Sequence, residues 1–199
     1  MAPSQTMPSL ALLSWRGDRA RRLDELEAAH QSIGGSNRGR RLATQQLNRA
    51  YAVLLAGQFQ GFCTTLHALS VDAIVVAVPH QFRNLVAANL SHGLMLHRGN
   101  AGPGNVGSDF KRLGIELWPT LYASHARNKS RNRHLEKLNA WRNAIAHDDF
   151  PPSQILQGRN TSLRFGLVKS WRAACDQIAT HMDACMRQYL RNLLGTPPW

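Results

Sequence analysis

What the chain has little of narrows it first. Its 199 residues hold three cysteines, Cys63, Cys175 and Cys185. That is an odd number without a C-x-x-C spacing, so neither a disulfide framework nor a zinc knuckle is indicated, and a reducing compartment fits. Acidic residues are scarce, 12 against 24 Lys and Arg, leaving a net charge of +12. Lysine is scarcer still, since four of the basic residues are Lys and twenty are Arg. Residues 73–78 form an apolar run far short of the roughly 20 residues of a membrane span. The stretch Leu-Ala-Leu-Leu-Ser-Trp from Leu10 is too short for a signal-peptide core and runs into Arg16 and Asp18. No segment of any length keeps the two-residue period of a strand. These absences predict a cytoplasmic, all-α protein with no membrane-embedded segment.

The length fits one domain with a short appendage, and a core of that size needs neither disulfide nor metal. The positive field draws polyanions, so RNA, DNA and anionic membrane are the candidate partners. Arginine in place of lysine favours bidentate phosphate contacts, because the guanidinium fork matches two oxygens. GC-rich codon usage would give the same excess, so the arginines count only in company.

Along the chain, helical spacing predicts four to six helices in a bundle. Residues 18–33 read as a short charged helix ended by a flexible turn at 34–37, and 1–39 as an N-terminal helical extension of a domain at 40–199. Leu47, Tyr51, Leu54, Leu55, Phe59, Phe62, Leu66 and Leu69 recur every three or four positions, marking the first principal core helix. From Pro79 a further helix is expected to about Leu96, with Phe82, Leu85, Val86, Leu90, Leu94 and Met95 on its buried side. The four glycines and one proline of 99–108 predict a connector. That segment lacks the Gly-Lys-Ser/Thr ending of a phosphate-binding loop. Short helical pieces interrupted at Pro119 follow, and the polar run 127–133 reads as a solvated loop. Leu135, Leu138, Trp141 and Ile145 mark a helix ended by Pro151 and Pro152. Leu167, Trp171, Cys175, Ile178, Met182, Cys185, Tyr189 and Leu193 keep helical spacing up to Gly195.

The most informative string is Leu-Asn-Ala-Trp-Arg-Asn-Ala-Ile-Ala-His, which ends at His147. Arg142, Asn143 and His147 converge there near one helix end. A match with four to six residues between Arg and His is cheap in so Arg-rich a chain, and a second one, Arg127 and His134 with six residues between them, also begins Arg-Asn. Context favours Arg142 and His147, because Trp141 and Ile145 anchor their helix. At roughly 100° per residue, Asn143 and His147 share a face and Arg142 lies about 140° from His147. Such a trio suits a groove, shared with a second subunit, better than a small-ligand or metal pair. Imidazole transfers protons at neutral pH, and a guanidinium stabilises charge developing on phosphate. Together they suit RNA cleavage, where the 2′-hydroxyl attacks the adjacent phosphorus without a metal-bound water; DNA lacks that hydroxyl. The same spacing also allows a plain surface role: Arg142 paired with Asp148 or Asp149, His147 settled on the helix C-terminus, and Asn143 solvated.

The string Trp-Arg-Asn-Ala-Ile-Ala-His resembles the motif of HEPN domains, in particular the RiboL-PSP-HEPN branch. Residues 47–69 look like that family's early helix and 161–194 like the long helix after its motif, so the resemblance spans roughly 40–195. It implies a helical bundle, commonly a homodimer whose two motifs meet in a cleft, and metal-independent endoribonuclease activity in toxin-antitoxin or defence roles. A cognate antitoxin protein would then be a further partner. Carried onto this chain, Arg142 would polarise the scissile phosphate, His147 would transfer protons, and Asn143 would position substrate or His147. No cofactor is implied. Two departures stand out. Asp149 occupies the place where the toxins silenced by adenylylation carry Tyr, and Asp148 with Asp149 sets negative charge beside the phosphate site.

Other candidates read more weakly. Arg127, Lys129, Arg131 and Arg133 form a stretch that can touch RNA phosphates. His92 and His97 are badly spaced for a metal pair, and no metal ligand set is expected. Trp15, Trp118, Trp171 and Trp199 are too scattered for a base-stacking platform. Two other classes stay open: a catalytically silent HEPN-like module that binds RNA or protein, and a DNA regulator, for which no helix-turn-helix stands out.

Overall fold

The computed structural model describes residues 7–34, 41–150 and 162–199. The expected turn at 34–37 and the prolines 151–152 fall wholly or largely outside them. Among the described residues the chain is all-helical, without a strand. In order come α1 (Leu10–Ser14), α2 (Ala20–Gly34), α3 (Arg41–Ala77), α4 (Arg83–Ser91), α5 (Met95–Arg98), α6 (Pro103–Lys111), α7 (Leu117–Ser124), α8 (Asn128–His147) and α9 (Phe165–Leu194).

Helix α3 is the axis of the bundle, packing against α1, α2, α8 and α9, while α8 and α9 pack on one another. By length and composition α3 could cross a membrane. Here Tyr51, Leu55, Phe59, Phe62 and Leu66 instead form one side of the core. Helix α9 supplies the other side with Val168, Trp171, Cys175, Ile178, Met182, Met186 and Leu190, all fully buried. Trp171, Cys175, Ile178 and Met182 are expected there, but at the two ends of the stripe Val168, Met186 and Leu190 are buried instead of Leu167, Cys185, Tyr189 and Leu193, the last of which is exposed. The helix closes at Gly195, whose φ of 75° is the left-handed conformation that glycine adopts without strain.

The N-terminal segment enters the same core. Ser9 caps α1 by accepting from the Leu12 amide at 3.1 Å, and its own amide donates to buried Asp183 at 3.1 Å. A π-helical turn, Trp15–Arg19, joins α1 to α2. It rotates Trp15 inward onto Phe59 and Phe62, at ring-centroid distances of 5.8 and 6.0 Å.

Four readings of the sequence are corrected. The segment 99–108 is not wholly a connector, because α6 begins at Pro103. Gly102 is extended, Pro103 has its φ preset for the first helical position, and burial of Val106 and Phe110 offsets the cost of the glycines. Gly107 is useful there, since a Cβ would stand 3.0 Å from Trp118. Pro119 does not interrupt a helix; it sits in the first turn of α7, where its missing N–H costs nothing. The run 127–133 is not a loop but the start of α8, held by buried Asn128, whose Nδ2 donates to the Leu121 carbonyl at 2.8 Å. Finally, the helix after Pro79 stops at Ser91, because His92 is extended and Gly93 has φ 72°. Phe82, Leu85 and Met95 are exposed, and only Leu94 of the expected stripe is fully buried.

Candidate nucleic-acid-processing site

Helix α8 delivers the motif. Leu135, Leu138 and Trp141 anchor it in the core, and its C-terminal turn projects His147 into solvent. The helix ends at Asp148, which adopts φ 48°, ψ 32°. Aspartate tolerates that left-handed region better than most side chains. The Asp149 amide then returns to the Ala144 carbonyl at 3.0 Å. Both carboxylates are exposed.

Arg142 is half-buried and Asn143 exposed. Arg142 NH1 donates to Asn143 Oδ1 at 3.1 Å. The same oxygen accepts from Asn100 Nδ2 at 2.9 Å. Asn100 had no place in the sequence argument. It comes from the short connector left between α5 and α6, where its own Oδ1 accepts from the Gly102 amide at 3.2 Å and its carbonyl from Asn105 Nδ2 at 2.8 Å. Buried Asn139, one turn before Asn143, donates to the Ala101 carbonyl at 3.2 Å and to Leu135 at 2.8 Å. The connector is therefore pinned to α8 by amide side chains at two successive turns. The clustered Asn-Ala-Gly-Pro-Gly-Asn composition of 100–105 is the visible signal, and it reads as flexibility before it reads as hydrogen-bonding capacity.

Among the described residues Arg142 makes no ion pair with Asp148 or Asp149. The Arg142 guanidinium instead lies beside Asn143 with donors to spare. The amide of Asn143 turns to Arg142 and Asn100, not to His147.

The competing pair is placed differently. His134 is half-buried and faces α9, where it meets the Ser170 backbone; burial, then Lys137, lowers its pKa against the opposing effect of that hydrogen bond. The four basic residues at the start of α8 also divide. Lys129 and His147 stand about five helical turns apart and so in phase, with Arg133 within roughly 40° of that line. Lys129, Arg133, Asn143 and His147 are all exposed, and they form a stripe along one face. Arg131 points elsewhere: NH1 donates to Asn128 Oδ1 at 2.9 Å and lies 3.5 Å from His181 Nδ1. Arg127 falls on that other side of the helix by the same period. Glu136 lies within the exposed stripe and interrupts its charge.

Comparison with known proteins found no match to a family model, a curated protein or a solved structure. The chain is an all-helical, basic protein with Arg142, Asn143 and His147 near one another in sequence at the exposed end of a core helix.

Proposed function

We propose that the protein is a metal-independent endoribonuclease of HEPN type, acting on RNA through Arg142, Asn143 and His147. The observation that carries the reading is the end of α8, where Arg142 NH1 donates to Asn143 Oδ1 at 3.1 Å and exposed His147 follows Asn143 by one helical turn on the same face. In the proposed reaction the 2′-oxygen attacks the adjacent phosphorus, the bond from phosphorus to the 5′-oxygen breaks, and His147 takes or gives the proton. Products are a 2′,3′-cyclic phosphate and a 5′-hydroxyl. Arg142 opposes the charge that builds on the phosphoryl oxygens. Asn143, with Oδ1 occupied, keeps Nδ2 as a donor for substrate.

One histidine per chain near the site fits a homodimer in which two copies share acid and base roles. The fine fold is accordingly a HEPN-like bundle, and the biological setting a cytoplasmic toxin-antitoxin or defence system with a cognate antitoxin. Lys129 and Arg133 extend the site as a phosphate track.

The test is incubation of purified protein with end-labelled structured RNA in excess EDTA, beside His147→Ala and a matched DNA. Cleavage of RNA by wild type alone, with cyclic phosphate ends, supports the nuclease. Intact RNA that wild type and variant bind equally overturns catalysis and leaves an RNA-binding module.

A further inference from the structure

A cavity of about 450 Å³ lies between α7 and α9, near the start of α8. It is remote from the motif, since α8 separates Asn128 from His147 by roughly 28 Å at 1.5 Å per residue. Ile115, Ala184, Cys185 and Tyr189 provide its apolar walls. The Tyr189 wall is fixed: its hydroxyl donates to the Leu113 carbonyl at 2.7 Å and lies over Gly114, where an added Cβ would approach it to 2.7 Å. Burial pushes the Cys185 thiol up to about 11, so this wall stays uncharged.

One end of the cavity is polar. His125 and His181 both line it and stack at 5.1 Å. Their neighbours fix their tautomers. Asn128 donates through Nδ2 to Leu121, so its Oδ1 faces His181 Nδ1 at 2.9 Å, and that nitrogen carries the proton. His125 Nδ1 accepts from the Arg127 amide at 3.2 Å, so its proton is on Nε2. The pair thus keeps one donor, Nε2–H of His125, and one acceptor, Nε2 of His181. Among the described residues no Asp or Glu lines the cavity, and the Arg131 guanidinium lies 3.5 Å from His181. Burial first, then the charge of the Arg131 guanidinium, holds the His181 imidazole below its ordinary value. What this end lacks is a negative charge. An anion there would accept from His125 and allow His181 to take up a proton and become a second donor.

We propose that the cavity between α7 and α9 binds a small carboxylate with an apolar body, its head at His125 and His181 and its body against Ile115, Ala184 and Cys185. The cavity size is that of a small-molecule site, and mostly apolar walls with a few convergent polar groups suit an amphipathic acid better than a nucleic acid backbone.

Ligand-observed NMR titration of the full chain with biphenyl-4-carboxylate, biphenyl-4-methanol and inorganic phosphate tests this. The carboxylate is expected to bind with a sub-millimolar Kd, about tenfold tighter than the alcohol, with phosphate weaker than either. Ala184→Trp, and separately Thr120→Trp, should abolish binding of both aromatic probes while circular dichroism stays that of wild type. His181→Gln should remove the preference for the carboxylate. Equal binding of acid and alcohol, no binding below about 5 mM, or unchanged binding by both Trp variants overturns the proposal. Phosphate competing as well as the carboxylate also overturns it, because the basic end would then serve anions, RNA phosphates included, without the apolar walls.

Discussion

Asn100 donates through Nδ2 to Asn143 Oδ1 at 2.9 Å, tying the connector before α6 to the last turns of α8. Arg142 NH1 donates to the same oxygen at 3.1 Å, so one Asn143 carbonyl oxygen joins the connector and the guanidinium. Asn100→Ala is expected to lower RNA cleavage about tenfold, in kcat more than in KM, because it removes orientation rather than contact. Stability should fall by only about 1 kcal/mol, the usual net value of one such bond. Single-turnover kinetics beside thermal melts separate the two effects. An equal loss of activity and fold would make Asn100 merely structural.

Lys129 and Arg133 share the His147 face, whereas Arg127 and Arg131 do not. Lys129→Gln and Arg133→Gln should each weaken RNA binding and reduce the slope of log K against log salt by roughly 0.7, as expected for loss of one phosphate contact on a single strand. Arg127→Gln should change the slope little. Filter binding across a salt series reads this directly, and equal effects at all three positions would place RNA elsewhere on the basic surface.

Trp15 is 2 % exposed and packs on two α3 aromatics. Trp15→Ala is expected to cost about 3–5 kcal/mol, the range of a core aromatic truncation, and to shift one cooperative urea transition. A variant that instead shows two transitions would make the N-terminal helices a separate unit.

Glu27 accepts from Arg172 NH1 at 2.7 Å and from the Tyr51 hydroxyl. Burial pushes its carboxyl up, but these bonds and the charges of Arg172 and Lys169 outweigh that and hold it below its ordinary 4.5. A carboxyl so depressed adds stability that is complete above 4.5 and is lost as the pH falls through the lower folded value. Glu27→Gln should therefore destabilise by about 1–3 kcal/mol at pH 7, with the gap to wild type closing on acidification below 4.5. Buried His67 adds a second window. Burial lowers its pKa, partly countered by its contact with the Asp109 carbonyl, so wild-type stability begins to fall as the pH drops below the ordinary 6.5. Urea midpoints from pH 7.5 to 3.5 for both proteins check the two windows.

The long helices were legible because burial repeats in them at helical spacing. Tyr51, Phe59, Phe62 and Leu66, or Trp171, Ile178 and Met182, each face a core that the period alone locates. The turns were not. Gly and Pro in 99–108 and at Pro119 were read by local preference, yet Phe110, Val106 and Leu121 gain enough burial to carry short helices through them. The polar start of α8 was missed for the opposite reason: its helix rests on one buried amide, Asn128, and on propagation from the apolar turns that follow. Phe82 and Leu85 mislead in turn, because among the described residues α4 meets only one packed neighbour of any length, α3, and an apolar stripe does not show how many partners it will find.

By itself the sequence determined that the chain is helical, strongly basic and carries Arg142, Asn143 and His147 close together, since composition, period and spacing are properties of the chain. Only tertiary structure decided that Asn100 joins them, that Lys129 and Arg133 align with His147 while Arg131 turns to His181, and that an apolar cavity forms beside a histidine pair. Those relationships bring distant residues into contact, 43 positions apart for Asn100 and Asn143 and 50 for Arg131 and His181. Side-chain hydrogen bonds across that separation depend on where whole helices pack, which no local pattern encodes.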